Sequence, residues 1–158
     1  MKMKRMISLF FFLFALGNSW DGLFAGQEAE FQKIKKMDVK ELTRATQVLM
    51  EKKYPGENWE KYNFPKYVYT NDAVQTGYKI AVKESPLLAK FPCYCFCEEM
   101  GHKNLAHCFF EKGVLGKFDE HASTCNICIT EAMRGVLWKE LGATDEEMLK
   151  AMKEAYEK

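Results

Sequence analysis

The sequence predicts a mainly α-helical protein, a small bundle with one irregular cysteine-rich loop between its helices. Three observations predict this fold class. Apolar residues recur at helical spacing in several segments after residue 28, and residues that cap helices stand before those segments. All six cysteines of the 158-residue chain lie within residues 93–128, most of which read as irregular. A chain of this length buries about two thirds of its unfolded surface, so we expect one domain with a substantial core.

Residues 1–25 have the order of features that a secretory signal peptide requires. A basic start is followed by an eleven-residue apolar run from Met6 to Leu16, and Ala25 supplies a small residue at a cleavage point. The run is shorter than the ~20 residues that a membrane-spanning helix needs. We therefore expect export with cleavage after Ala25, while cleavage near Gly17 and an uncleaved anchor remain as alternatives. No cysteine near the run offers a site for lipid attachment.

Removal of this segment would leave a nearly neutral chain. The whole sequence has 23 basic and 22 acidic residues, and the expected mature chain, without Lys2, Lys4, Arg5 and Asp21, has 20 and 21. A protein without a basic block lacks the electrostatic attraction on which nucleic-acid binding depends, so we exclude that class of function. We also expect no membrane span in the mature chain.

The expected mature chain divides into an N-terminal helical segment with a connector, residues 26–63, and a cysteine-rich helical domain, residues 64–158. We expect the two to pack as one globular unit. In the first, Asp38 with Glu41 resembles a capping box, and apolar residues at helical spacing follow it. This pattern predicts a helix over about residues 39–53, with its apolar stripe in the core.

An aromatic-rich connector comes next, with Pro65 at its centre to exclude a regular helix. We interpret it as an extended segment that covers the core, and the alternative is an aromatic wall over a sulfur-rich site. Asn71 then caps a second helix that runs to about Glu84. Ser85 and Pro86 restart the chain as a short turn or helix, since proline is tolerated in a first helical turn.

Two more helices are predicted near the C-terminus. Ser123 or Thr124 caps the first, which begins at Cys125 and runs to about Leu141. Its predicted buried face consists of Ile129, Ala132, Met133, Val136 and Leu137. Thr144 opens a terminal amphipathic helix as part of a second capping box.

The candidate functional site lies within residues 93–128, where soft ligands gather as they do in metal sites and disulfide frameworks. The candidate metal ligands are the six cysteines and two of the three histidines: Cys93, Cys95, Cys97, Cys108, Cys125, Cys128, His102 and His121. We rank His107 lowest, because in a helix its side chain would point about 100° away from that of Cys108. We expect Met100 to fill a gap in the core, with thioether binding of Cu(I) as the alternative.

The alternation of Cys93, Cys95 and Cys97 favours chelation over disulfides. In an extended strand, cysteines two residues apart have α-carbons separated by ~6.6 Å, near the outer limit for a disulfide. If the segment curls as a loop, two or three sulfurs can approach one ion at ~2.3 Å. Disulfides to distant partners remain possible in principle, with fifteen pairings for six cysteines.

Cys125 and Cys128 lie one turn apart at the start of a predicted helix. The positive end of that helix favours the thiolate form of both, which is the form that binds metal and attacks disulfides. Ile129 stands where covalent haem attachment would need a histidine. The strand-helix-strand setting of a thioredoxin-like motif is also missing.

An ordered series of short motifs spans the region: Pro92-Cys93-Tyr94-Cys95-Phe96-Cys97, Gly101-His102, Cys108-Phe109, Phe118-Asp119, His121-Ala122 and Cys125-x-x-Cys128. In these motifs, from about Phe64 to the C-terminus, the chain resembles a bacterial family of exported proteins named for its PCYCGC motif. The resemblance implies that the candidate site residues are the six cysteines, His102 and His121. It implies no mechanism.

The chain departs from that family in two ways. Phe96 stands where the motif has glycine, and if glycine serves a positive φ or close approach to an ion, Phe96 alters the loop. Many relatives look like lipoproteins, whereas this chain lacks a cysteine to carry the lipid. The resemblance therefore does not extend to surface anchoring.

Together these features predict an exported protein that binds a thiophilic metal ion through clustered cysteines, for binding, buffering or delivery. Cu(I) is favoured because thiolate-rich sites outside the cytoplasm suit copper handling, and Zn²⁺ is the second choice. Six thiolates exceed the four that one tetrahedral ion needs, so a second ion or a disulfide should use the surplus. Another exported metal-handling protein is a candidate partner.

Two alternatives remain open. One is a structural or interaction domain stabilised by three disulfides. The other is a thiol redox protein that uses Cys125 and Cys128. No carboxylate pair or nucleophile-base arrangement indicates catalysis, so we name no catalytic residue and do not favour an enzyme.

Overall fold

Five α-helices make up most of the part of the chain that the computed structural model describes, residues 19–95 and 97–157, with side chains from residue 26 onward except that of Glu98. The helices are α1 (Ser19–Lys36), α2 (Val39–Lys53), α3 (Asp72–Leu88), α4 (Asn126–Glu140) and α5 (Asp145–Tyr156). The described residues contain no β-strand, only one antiparallel bridge between Phe110 and Phe118. The predicted mainly α fold, with the cysteines in an irregular stretch between helices, is confirmed.

Most of the predicted signal peptide lies outside the described residues, and α1 begins at Ser19, within its last seven positions. Within the described part of the chain, every helix is too short or too polar to cross a membrane. The expected cleavage after Ala25 would shorten α1 at its N-terminal end.

Local capping residues determine where several helices begin. The Asp38 side chain accepts a hydrogen bond from the Glu41 N–H at 2.8 Å, and the Glu41 carboxylate accepts one from the Asp38 N–H at 3.0 Å. Thr144 and Glu147 form the same reciprocal pair at the start of α5. These bonds satisfy backbone donors that the first turn leaves unpaired, so both predicted capping boxes are confirmed.

Helix α3 has a kink close to where the sequence predicts a restart. Glu84 has non-helical dihedral angles, φ −124° and ψ 24°, and Pro86 lies inside the helix. Proline has no N–H for the helical ladder and its ring crowds the preceding turn, which accounts for the kink. The structure therefore joins the two predicted pieces into one bent helix.

The predicted cap of α4 is wrong. Ser123 and Thr124 lie in a 3₁₀ turn, His121–Thr124, and Cys125 is the N-cap, with extended backbone at φ −119° and ψ 103°. The Thr124 hydroxyl donates to the His121 carbonyl within that turn instead of capping the helix. Residues predicted for the buried face are buried except Leu137, which is half-buried.

Helix α4 is the centre of the fold, because it contacts all four other helices. Two glycines allow the closest packing around it. A Cβ at Gly77 of α3 would lie 2.5 Å from Ile129 Cδ1, and a Cβ at Gly135 of α4 would lie 2.5 Å from the Phe91 ring. Phe91 stands two residues before Cys93, so this packing fixes the start of the cysteine-rich loop against α4.

The aromatic connector forms two 3₁₀ turns, Trp59–Tyr62 and Lys66–Tyr69, and not the predicted extended segment. Phe64 between them is buried, with its ring centroid 5.3 Å from that of Phe118. Tyr67 lies against Tyr78. The connector thus covers the core, as interpreted from the sequence, and its proline excludes a continuous helix.

A buried ionic network joins α2, α3 and α4 at the kink in α3. Glu84, only 6% exposed, accepts hydrogen bonds from Lys53 and Tyr54 at 2.8 Å and from Lys139 at 2.9 Å. Burial by itself raises the pKa of Glu84, but the three hydrogen bonds outweigh it and lower the pKa to about 2. The carboxylate is therefore charged, and its hydrogen bonds to Lys53, Tyr54 and Lys139 link three helices.

Replacing Glu84 by Gln should lower the free energy of unfolding at pH 7 by about 2 kcal/mol, since bonds to a charged acceptor are lost. The folded pKa lies below the ordinary value of 4.5, so the stability that Glu84 contributes is present above pH 4.5 and is lost as the pH falls towards 2. Urea unfolding of reduced, metal-free protein over this pH range measures the difference.

The matched control is Glu51→Gln, because Glu51 is exposed on α2. Its change should stay within about 0.5 kcal/mol at every pH. A Glu84→Gln variant as stable as the control at pH 7, or a difference that widens on acidification, would contradict the account of this network.

Candidate metal centre

Three separate segments bring the cysteines together. The loop after α3 carries Cys93, Cys95 and Cys97, a 3₁₀ turn (Leu105–Cys108) carries Cys108, and the first turn of α4 carries Cys128. The Leu105 N–H donates to the Phe91 carbonyl at 2.9 Å, which holds the second segment beside the first. We call the six cysteines with His102 and His121 the cysteine cluster.

Sulfur atoms from distant parts of the chain lie in contact. Cys93 Sγ lies 3.6 Å from Cys128 Sγ and 3.1 Å from Cys108 Sγ. Cys95 Sγ is also 3.6 Å from Cys128 Sγ, and Cys97 Sγ is 3.7 Å from Cys108 Sγ. Within the loop, Cys95 Sγ lies 3.1 Å from the sulfurs of both Cys93 and Cys97. The predicted convergence of the loop with the α4 cysteines is therefore present in the fold, with all six cysteines as free thiols.

The two histidines named from the sequence also reach the sulfurs. His121 Nε2 lies 3.4 Å from Cys95 Sγ, and His102 Nδ1 lies 3.5 Å from Cys108 Sγ. Their rings are 4.9 Å apart and nearly perpendicular. His107 lies differently, since its ring packs against Gly113, where a Cβ would approach it to 3.0 Å.

Three sets of four residues have potential ligand atoms that all lie within 4.8 Å of one another. The first set is Cys93, Cys95, Cys108 and Cys128; the second is Cys95, Cys125, Cys128 and His121; the third is Cys95, Cys97, Cys108 and His121. Seven residues of the cysteine cluster belong to at least one set. His102 belongs to none, but it contacts Cys108, which is a member of the first and third sets. The sets overlap, so they are parts of one site.

The cysteine cluster has a buried side and an accessible side. Cys93, Cys97, Cys108 and Cys128 are buried, the last two with no exposed surface. Cys95, Cys125 and both histidines are half-buried. An ion could therefore enter from the histidine side and be enclosed by sulfur on the other.

The thiols differ in acidity because they share hydrogen bonds in a small buried volume. Bonds from Cys108 and Cys128 lower the pKa of Cys93 to about 2. The same network, followed by burial, raises the pKa of Cys128. Like charges repel strongly in a buried site, so ionising some thiols keeps their neighbours protonated.

The helix start was predicted to favour the thiolate of both α4 cysteines, but the pKa is lowered at Cys125 alone, and chiefly by another thiol. The bond from Cys128, assisted by nearby backbone N–H groups of Cys128 and Ile127, lowers the pKa of Cys125 to about 5. Cys128 has its pKa raised instead, because it is buried among sulfurs. The position of each thiol relative to its neighbours outweighs the field of the helix.

Glu131 was missed by the sequence reasoning. It has no exposed surface, its Oε1 accepts a hydrogen bond from the Tyr94 N–H at 3.0 Å, and its Oε2 has no partner among the described residues. Burial, and then the charge of Cys93, raises the pKa of Glu131 to about 9. Glu131 anchors the backbone of the loop between Cys93 and Cys95. Its position one turn after Cys128 was the sequence feature that could have indicated this role.

Two further expectations concern the loop. Met100 is 63% exposed in the 3₁₀ turn Cys97–Met100, so the expectation that it fills a core gap is wrong. Phe96 lies outside the described residues, and the expected effect of replacing glycine there stays a prediction.

A family model described as "Protein of unknown function with PCYCGC motif" matches residues 24–158. The match begins well before Phe64, where the likeness was expected to start, and it includes α2 and all described side chains of α1. No curated protein and no solved structure matches the chain.

The acidity of Cys125 predicts its reactivity. In reduced, metal-free protein at pH 6.5, iodoacetamide should modify Cys125 at least ~10-fold faster than Cys128, because Cys125 is half-exposed and ionised while Cys128 is neither. Peptide mass spectrometry after limited reaction measures the two rates. In urea the preference should disappear, and equal rates in the folded protein would contradict the assigned acidities.

Proposed function

The chain belongs to the family of proteins of unknown function with a PCYCGC motif, and from the geometry of its cysteine cluster we propose that it binds a thiophilic metal ion. Cu(I) is the first choice and Zn²⁺ the second. One observation carries the proposal: sulfurs from the loop after α3 and from the first turn of α4 lie within 3.6 Å of each other. These segments are more than thirty residues apart in sequence.

The spacing of the sulfurs suits coordination. A tetrahedral ion with metal–sulfur bonds of ~2.3 Å holds its sulfurs about 3.8 Å apart. Pairs between segments at 3.6 and 3.7 Å are already near that value. Pairs at 3.1 Å must separate slightly to admit an ion, and two of these lie within the short loop around Cys95.

The kind of ligand favours a soft ion. Thiolate sulfur selects Cu(I) and Zn²⁺ over the harder cations that prefer oxygen, and imidazole is compatible with both. Burial, followed by the charge of His121, lowers the pKa of His102, so its ring is neutral and can donate a lone pair at neutral pH. The final choice of Cu(I) rests on the proposed export of the protein.

Binding, buffering or delivery is the activity that this arrangement supports. Delivery requires that the ligands of a partner can replace the ligands of this protein on the ion, one after another. The half-buried Cys95, Cys125 and His121 offer that access, while the buried sulfurs behind them retain the ion. Another exported metal-handling protein with exposed soft ligands would be a suitable partner.

A thiol redox function is the second candidate, and one observation favours it. Cys125 is half-exposed with a pKa lowered to about 5, and its neighbour Cys128 is buried with a raised pKa. An accessible thiolate next to a buried thiol is the arrangement that thiol-disulfide exchange uses. The four other cysteines beside this pair are better explained by metal binding.

To test metal binding, the protein is purified under nitrogen, and bound metal and free thiols are measured on the same sample. We expect stoichiometric Cu or Zn with six thiols recovered on denaturation in chelator. His121→Ala should weaken metal affinity by ~10-fold or more, because His121 belongs to two of the three sets. His107→Ala, which alters a histidine outside every set, is the matched control.

Three results would count against the proposal. Absence of metal with no free thiols would indicate a disulfide-stabilised domain. A metal-free protein in which Cys125 and Cys128 cycle reversibly would indicate the redox function. Equal affinities in the two histidine variants would remove His121 from the site.

We also propose that the protein is exported and that its signal peptide is removed after Ala25. The basic, apolar and small-residue order of residues 1–25 supports this. Intact mass spectrometry of protein recovered outside the cytoplasm should give a chain that begins at Gly26. A full-length mass in the membrane fraction would indicate the uncleaved anchor.

A further inference from the structure

Cys95 occupies a special position in the cysteine cluster. It is the one residue that belongs to all three sets of potential ligands. Its sulfur lies 3.1 Å from the sulfurs of Cys93 and Cys97, 3.6 Å from that of Cys128, and 3.4 Å from His121 Nε2. Four neighbours from three segments therefore surround a single sulfur atom.

Coordination chemistry limits how these sets can be filled. One tetrahedral ion takes four ligands, and the three sets contain six sulfurs as well as His121. The Nε2 atom of a histidine has one lone pair and binds one ion, so the second and third sets cannot both be filled through His121. A thiolate has three lone pairs and can bridge two ions.

The sulfurs allow bridging in two ways. The first set shares Cys95 and Cys128 with the second set, and it shares Cys95 and Cys108 with the third. Either combination places two ions next to each other with two sulfurs in common. Cys95 is a shared ligand in both.

A second cation adds no uncompensated charge to the site. No lysine or arginine of the described residues is hydrogen-bonded to a cluster sulfur, so charge on the thiolates is compensated by metal or by protons. One monovalent ion held by four thiolates leaves three uncompensated negative charges in a largely buried site, and two such ions that share two of five thiolates leave three as well. Bridging lowers the number of thiolates needed per cation.

We propose that the cysteine cluster holds a thiolate-bridged group of at least two ions, with Cu(I) as the favoured cation and Cys95 as the bridging ligand. The proposal rests on the proposed metal-binding function and adds to it the number of ions and the role of one residue. Cys93, Cys97, Cys108 and Cys128 enclose the buried side of the group. Cys125 and His121 complete it towards the accessible side.

The test is anaerobic titration of the reduced protein with Cu(I) in the presence of a competing Cu(I) chelator, followed by native mass spectrometry. The wild-type protein should retain two or more ions. Cys95→Ser should retain at most one against the same chelator. His107→Ala is the control, since His107 is also half-buried but belongs to no set, and this variant should retain two.

Circular dichroism checks that each variant keeps its helices. A second measurement needs no variant: X-ray absorption of the wild-type protein loaded with Cu(I) should contain a metal–metal scattering shell beyond the sulfur shell. Its absence would overturn the bridged group even if a variant fails to fold.

The outcomes separate this inference from the function on which it rests. A wild-type protein that binds no metal overturns both proposals. Saturation at one ion leaves metal binding intact and overturns the bridged group. Retention of two ions by Cys95→Ser, to the same extent as by His107→Ala, overturns the bridging role of Cys95.

Discussion

The close packing of α4 against α3 and the residues that follow it is the constraint on which the site depends. Gly135 accepts the Phe91 ring where any larger residue would collide with it, and Gly77 does the same for Ile129. The loop that begins at Cys93 therefore starts at a fixed distance from the first turn of α4. Glu131, buried on α4, then binds the loop backbone at Tyr94. The sulfurs meet because these contacts hold the two segments together.

Burial of the sulfurs in turn determines their chemistry. In water six thiols would ionise independently, but in this site they share hydrogen bonds, and the pKa of Cys93 falls while those of Cys95 and Cys128 rise. The thiols of such a site are only partly ionised without a cation, and a bound cation would allow the others to lose their protons. The same reasoning links the protonated state of Glu131 to its surroundings, since a second buried negative charge would add to the repulsion.

The sequence was sufficient where the deciding interactions are local. Asp38 with Glu41 and Thr144 with Glu147 cap helices within three residues, so their positions could be predicted. The convergence of the cysteines could be predicted from their concentration in a short stretch. The cap at Cys125 was missed because Thr124 bonds within its own turn. The exposure of Met100 and the raised pKa of Cys128 could not be predicted, because they depend on tertiary packing. Glu131 was missed for the same reason, since a glutamate in a helix is ordinarily solvent-exposed and only tertiary packing buries this one.

The central claim is that sulfurs from the loop and from α4 bind a common cation. Cadmium is a thiophilic substitute that NMR detects directly, and scalar coupling from ¹¹³Cd to cysteine β-protons identifies each ligand. We expect a cadmium resonance coupled to the β-protons of both Cys95 and Cys128. Cadmium coupled only to cysteines of the loop, or only to Cys125 and Cys128, would contradict it.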